Sequence, residues 1–220
     1  MVKNKHLFIF MLGGLLITAI SCSNAESEDV TLPFYSDMDF TPKWLGEDFS
    51  SIKNVPEIAP FSFVDQNGKT VTEQNFAGKI YIADFFFTAC PGICPKMTKN
   101  MAKIQDLFLN DEGVLLISHS VTPEADSVAV LKRYARNNGV IDGKWHLVTG
   151  EKKAIYELAR NSYFADEDFG LQDIESVFLH TENFYLVDQN RRIRGVYKGT
   201  FQTEVERLRE DVEILRKERL

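Results

Sequence analysis

Two stretches, Ile80 to Phe87 and Val114 to Ile117, leave this chain few ways to fold. Both are nearly continuous apolar runs of strand length, without the polar alternation of a strand that faces water, so both read as strands covered on two faces. The segments that follow supply the covers. Cys94 to Leu109 places Met97, Met101, Ile104 and Phe108 at helical spacing. Glu124 to Asn138 reads as a second helix with Val128, Leu131 and Ala135 on one face and Gly139 as its cap. Trp145 to Val148 is a short strand, and Glu151 to Asn161 a third helix.

Before this run, Phe61 to Val64 and Lys69 to Val71 form a hairpin about Asn67-Gly68. After it, Tyr163 to Ser176 is an acidic, aperiodic loop, and Thr181 to Val187 pairs with Arg192 to Tyr197 around Asp188-Gln189-Asn190. A last helix runs from Gln202 to Arg219 with the stripe Val205, Leu208, Val212 and Leu215, and Thr203 with Glu206 offers a capping box. The expected architecture is α/β, a thioredoxin-like fold with an N-terminal hairpin extension and a C-terminal helix.

The first residues do not belong to that fold. Lys3 and Lys5 precede an apolar run from Leu7 to Ile20, too short for a comfortable membrane span and well suited to a signal peptide. Ala19, Ser21 and Cys22 then resemble a bacterial lipoprotein signal, with Ala19 where Leu is usual. The expectation is that residues 1–21 are a leader and that Cys22 is lipidated. Residues 22–56 are then a tether and N-terminal extension, and 57–220 the thioredoxin-like domain. The protein would be exported and lipid-anchored to a bacterial membrane, facing the periplasm. Loss of the leader takes the formal charge from −7 to −9, a poor basis for nucleic-acid binding.

With Cys22 assigned to lipid, one thiol pair remains, Cys90 and Cys94. An oxidising compartment permits a disulfide between them, but closing so short a loop adds little stability, which favours a functional pair. Pro95 suits the first helical position, placing Cys94 at the cap and Cys90 in the preceding turn, where the helix end lowers a thiol pKa. A general thioredoxin faces its cysteines with a cis-proline. Here no proline follows Pro123, and His180 stands before Phe184-Tyr185-Leu186-Val187 instead. Two thiolates and an imidazole make a soft site suited to Cu(I) that can also hold Cu(II) or zinc. The same pair reads equally as redox-active.

Thr88-Ala89-Cys90-Pro91-Gly92-Ile93-Cys94-Pro95, Ser120-Val121-Thr122-Pro123-Glu124 and His180-Thr181 together resemble the Sco/SenC family, from about Phe61 to the C-terminus. The resemblance implies copper ligation by Cys90, Cys94 and His180. It also implies a role in maturing the CuA centre of cytochrome c oxidase, by supplying copper or preparing thiols. The CuA-bearing subunit would be the partner, alongside other copper chaperones or thiol reductants. The alternative is a thiol–disulfide oxidoreductase acting on exported cysteine pairs. Gly92 and Thr122 stand where the family usually has acidic residues. A peroxiredoxin is disfavoured because Phe87 occupies the position of its Thr. His119 and His146 read as structural, and His6 leaves with the leader. Met97 and Met101 read as core, and Asp84 as a buried carboxyl that is either a proton relay for thiol exchange or simply hydrogen-bonded.

Overall fold

The computed structural model describes residues 31–165 and 179–218. The leader, Cys22 and the loop beyond Ala165 lie outside the described residues. One seven-stranded sheet carries the fold. Its strands are β1 (Ser62–Asp65), β2 (Thr70–Thr72), β3 (Ile80–Phe86), β4 (Val114–Ser120), β5 (Trp145–Thr149), β6 (Asn183–Val187) and β7 (Ile193–Lys198), in the spatial order β2-β1-β5-β4-β3-β6-β7. β3, β4 and β5 run parallel, and β6 joins β3 antiparallel. Every residue of β3 and of β4 is buried, which is why both read as unbroken apolar runs.

Helices α1 (Cys94–Leu107), α2 (Val128–Asn137) and α4 (Gln202–Leu215) cover one face, where Met97, Met101, Ile104, Leu131, Val205, Leu208 and Val212 pack on Ile80, Ile82, Leu116 and Leu147. Helix α3 (Lys152–Ser162) covers the other, with Ile155, Tyr156 and Ala159 against Tyr81, Ile117 and Tyr185. The chain is thus a thioredoxin-like α/β fold. Among the described residues no helix is long and apolar enough to cross a membrane.

Both hairpins turn on the same device. Asp65 accepts from the amides of Asn67 and Lys69 at 2.8 and 2.9 Å; Asp188 accepts from those of Asn190 and Arg192 at 2.9 and 2.8 Å. The fourth residue of each turn is left-handed, Gly68 at φ 76° and Arg191 at φ 60°.

Several boundaries differ from expectation. Helix α2 starts at Val128 rather than Glu124, because Thr122 to Asp126 forms its own turn and Ser127 caps the helix from Val130 N–H. α4 begins at Gln202 as expected, but the Thr203–Glu206 capping box is not formed: the N-cap is Phe201, two residues before Thr203, with no side-chain cap. β6 starts at Asn183, not Thr181.

Candidate metal and thiol site

The parallel strands bring the cysteines to one end of the sheet. β3 delivers the chain to Phe87, a turn follows, and α1 begins at Cys94 itself, with Ile93 as N-cap and Pro95 in the first turn. The helix therefore starts one residue before the position expected from Pro95. Cys94 is 5 % exposed and packs in the core cluster with Met97 and Met101, both of which are fully buried. Cys90 is half-buried. Both are free thiols.

Their environments push them apart. Burial raises the Cys90 thiol, but the Cys94 side chain and the amides of Cys94, Gly92 and Ile93 hydrogen-bond its sulfur and bring it below the ordinary thiol value. Burial, then the hydrogen bond to Cys90, pushes Cys94 up to about 12. Cys90 is thus the thiol of the pair biased toward thiolate, and Cys94 the one that holds its proton. Gly92 lies against the Cys90 sulfur, which is 4.0 Å from where a Cβ would stand.

A polar knot fixes the approach to Cys90. Asp126, 1 % exposed, accepts from Thr88 Oγ1 at 2.5 Å and Thr88 N at 3.2 Å. It also accepts from Ser120 Oγ at 2.6 Å and Thr122 Oγ1 at 3.0 Å. The end of β4 is thereby laced to the residue two before Cys90, and Val121 N–H bonds Phe86 carbonyl at 2.9 Å. Sequence reasoning missed Asp126. Its sequence signal is Ser120 and Thr122 just upstream, but Thr88 joins only through the β3–β4 register that pairs Phe86 with Ser120.

His180 is exposed, three residues before β6. The β3–β6 register pairs Tyr81 with Val187 and Ala83 with Tyr185; continued past Phe86, it sets His180 level with Thr88. The imidazole therefore belongs to the same sheet end as the sulfurs. Its position is tied through Glu182, which accepts from Thr200 Oγ1 at 2.7 Å and whose carboxyl is lowered chiefly by that bond. Thr200 follows Gly199, whose carbonyl accepts from Asn100 of α1 at 2.8 Å. Among the described residues, however, no three His, Cys, Asp or Glu side chains are gathered closely enough to hold a metal ion. The structure brings Cys90 and Cys94 together and leaves His180 in the same region without closing a three-donor set.

The remaining candidates separate cleanly. His119 is fully buried in an aromatic box, 5.0 Å from Phe85 and 5.7 Å from Phe63 between ring centroids, and burial drives its imidazole down to about 4. His146 pairs with Asp65 at 3.5 Å, though burial still lowers it. Met97 and Met101 are core. Asp84, 2 % exposed, lies under Cys94 in β3; burial raises its carboxyl to about 7, with Ser118 opposing, and its Oδ1 finds no partner among the described residues.

The sequence model of SCO1/SenC matches residues 50–215, which spans the sheet, the cysteine turn and His180. The chain belongs to the SCO1/SenC family. A SCO1 protein homolog of Bacillus subtilis is 34 % identical over 158 residues, covering 71 % of this chain and 81 % of the relative. Among solved structures, a SCO1/SenC family lipoprotein of Bacillus anthracis is 30 % identical with a TM-score of 0.65, over 74 % of this chain and 97 % of that one. Arabidopsis thaliana ScoI with copper bound is 28 % identical with a TM-score of 0.56, over 73 % and 98 %. In SCO1/SenC terms, the motif Cys90-Pro91-Gly92-Ile93-Cys94-Pro95 is the turn and first helical residues described above.

Proposed function

We propose that this protein is a copper metallochaperone of cytochrome c oxidase assembly, taking copper on Cys90, Cys94 and His180 and passing it to the CuA-bearing subunit. The observation that carries the reading is the pair of free thiols at the start of α1, one of them held toward thiolate. Thiolate is the form that ligates a soft metal. The copper-bound Arabidopsis structure supports it, as does a further structure, 30 % identical with a TM-score of 0.62, of BsSco, described as a member of the Sco family of cytochrome c oxidase assembly proteins. Copper is cargo here. Cys90 is its point of entry, Cys94 a second sulfur from a rigid helix, and His180 a third donor brought from the β6 side. Lipidation at Cys22, supported by the Bacillus anthracis lipoprotein, would keep the domain at the membrane where the recipient resides.

Anaerobic Cu(I) titration of the reduced chain tests this. One copper per chain is expected, with Cys90→Ala, Cys94→Ala and His180→Ala each weakening binding by roughly a hundredfold, about 3 kcal/mol. Unchanged affinity in His180→Ala removes the three-donor site. Deletion of the gene with an oxidase assay in copper-poor medium tests the assembly role, and full oxidase activity there argues against it.

A second reading draws on the asymmetry of the thiols: a half-buried Cys90 with a lowered pKa beside a buried Cys94 at about 12 suits attack on a partner disulfide followed by resolution. It predicts a mixed disulfide trapped by Cys94→Ala, with His180 dispensable.

A further inference from the structure

Two of the three helices on the face beside the sulfurs, α1 and α2, are charged unlike the rest of the molecule, while the third, α4, is acidic. α1 carries Lys96, Lys99 and Lys103 against Asp106; α2 carries Lys132, Arg133 and Arg136 and no carboxylate. Six cations and one carboxylate on two helices stand out in a chain of net charge −7. The two helices are neighbours, joined by a 2.7 Å bond between the Thr98 and Tyr134 hydroxyls and by Gln105, which bonds Gly139 carbonyl at 3.0 Å and Ile141 N–H at 2.8 Å. Five of the six cations are exposed, and Lys103 is half-buried.

Elsewhere among the described residues, cations without an ion pair stand singly, as Lys53, Lys69 and Lys153 do, and many others are matched. Arg191 and Arg192 pair with Glu57, Arg194 with Asp188 and Glu218, Lys198 with Glu182, and Arg216 with Asp111 and Glu213. The remaining pairs involve Lys43, His146, Lys152, Arg207 and Arg209. Among the described residues none of the six cations of α1 and α2 has an ion-pair partner. Fold stability gives no reason to collect unpaired like charges on adjacent helices, since they repel. An oppositely charged partner does.

We infer that the exposed α1–α2 face is a docking surface for a partner protein whose own cysteines or metal ligands are surrounded by carboxylates. The inference rests on the thiol site of the preceding section for what passes between the two molecules, while the docking follows from charge alone. The Cys pair opens the N-terminal end of α1, so an acidic protein surface lying along α1 brings its reactive groups to Cys90. Complementary fields of this kind raise encounter rates and discriminate against like-charged partners. An anionic lipid surface is the competing occupant; it offers no group that reacts with a thiol.

The test uses the full chain carrying Cys22→Ser, with Cys90 and Cys94 oxidised, in the absence of copper. Two synthetic peptides each contain a reduced Cys-x-x-x-Cys, one flanked by Asp and Glu, the other by Lys. Exchange forms a disulfide in the peptide as the Cys90–Cys94 bond breaks, with two electrons and two protons passing from peptide to protein. The acidic peptide is expected to react about tenfold or more faster at low ionic strength, with the advantage shrinking as salt rises. Lys99→Glu combined with Arg133→Glu should erase or invert the preference while leaving the melting temperature near wild type. Equal rates for the two peptides, a salt-independent ratio, or an unaltered preference in the double variant overturns the proposal. So does an absent peptide preference accompanied by phosphatidylglycerol-vesicle binding that the double variant loses. Because no copper is present, a failed copper titration leaves this test intact, and equal peptide rates leave the copper reading intact.

Discussion

Asp84 occupies the middle of β3, where every neighbour in the strand is buried, and it is the residue whose environment conflicts most with its chemistry. An unfolded carboxyl of this kind titrates near 4, and the fold raises it to about 7. The fold therefore prefers the protonated form. Its contribution is fully present below pH ~4 and is lost progressively as pH rises through about 7. Asp84→Asn keeps the shape without the charge, so in the metal-free reduced protein its stability advantage over wild type should grow from near zero at pH 4 to about 2–4 kcal/mol at pH 8.5. Denaturant unfolding at both pH values measures this, and a pH-independent difference sinks it. His119 acts oppositely: its imidazole is lowered to about 4, so its contribution is present above pH ~6.5 and lost as pH falls through 4. Asp84 was visible in the sequence because a lone carboxylate interrupts an apolar run. Asp126 was not, since Ser, Thr and Asp near a Pro look like any turn until strand pairing brings Thr88 to them.

At the scale of elements, two segments around the thiols make opposite use of polar side chains. The turn between β3 and α1 is held by Asp126 through four donors. Asp126→Ala should cost about 1–3 kcal/mol for donors left buried. It should also accelerate amide exchange at Thr88 to Cys90, which a purely global loss would not single out. The start of α4 has no such support, because Phe201 stands at its N-cap, 55 % exposed. Phe201→Ser should stabilise by about 0.5–1 kcal/mol, the gain of a cap less the loss of the Lys96 ammonium from the ring face, 5.6 Å from its centroid. A lower melting point would contradict this. Helices and strands were legible here because their apolar periods are strong, whereas their first residues were not. Thr203-x-x-Glu206 has the capping pattern, yet the helix already runs through Thr203 from a start at Gln202, so its hydroxyl is not at the cap.

On the scale of the molecule, the strand pattern foretold the class, but the clasp that closes the structure was hidden. Arg194 is 1 % exposed. Its guanidinium bonds the carbonyls of Leu32 and Pro33 at 2.6 and 3.1 Å, pairs with Asp188 at 3.4 Å and Glu218 at 2.6 Å, and lies 4.1 Å over the Phe34 ring. An arginine on a hairpin strand gives no sign in the sequence that it will be enclosed, since its partners come from both ends of the chain. Arg194→Ala leaves Asp188 and Glu218 without their cation and should destabilise by about 3–5 kcal/mol. Limited proteolysis should then cut first near Phe34, and unaltered protection there would count against the clasp. The clasp also has a directional consequence. β6 runs from the His180 end toward Val187, and Arg194 stands just after the turn that follows, so Leu32 and Pro33 are fastened at the pole opposite the sulfurs. For an anchor at Cys22, the ten or so intervening residues extend at most roughly 35 Å. Such an anchor would attach the domain by the pole remote from Cys90, so recipients whose metal sites project from the same membrane would be met more readily than those lying flush with it.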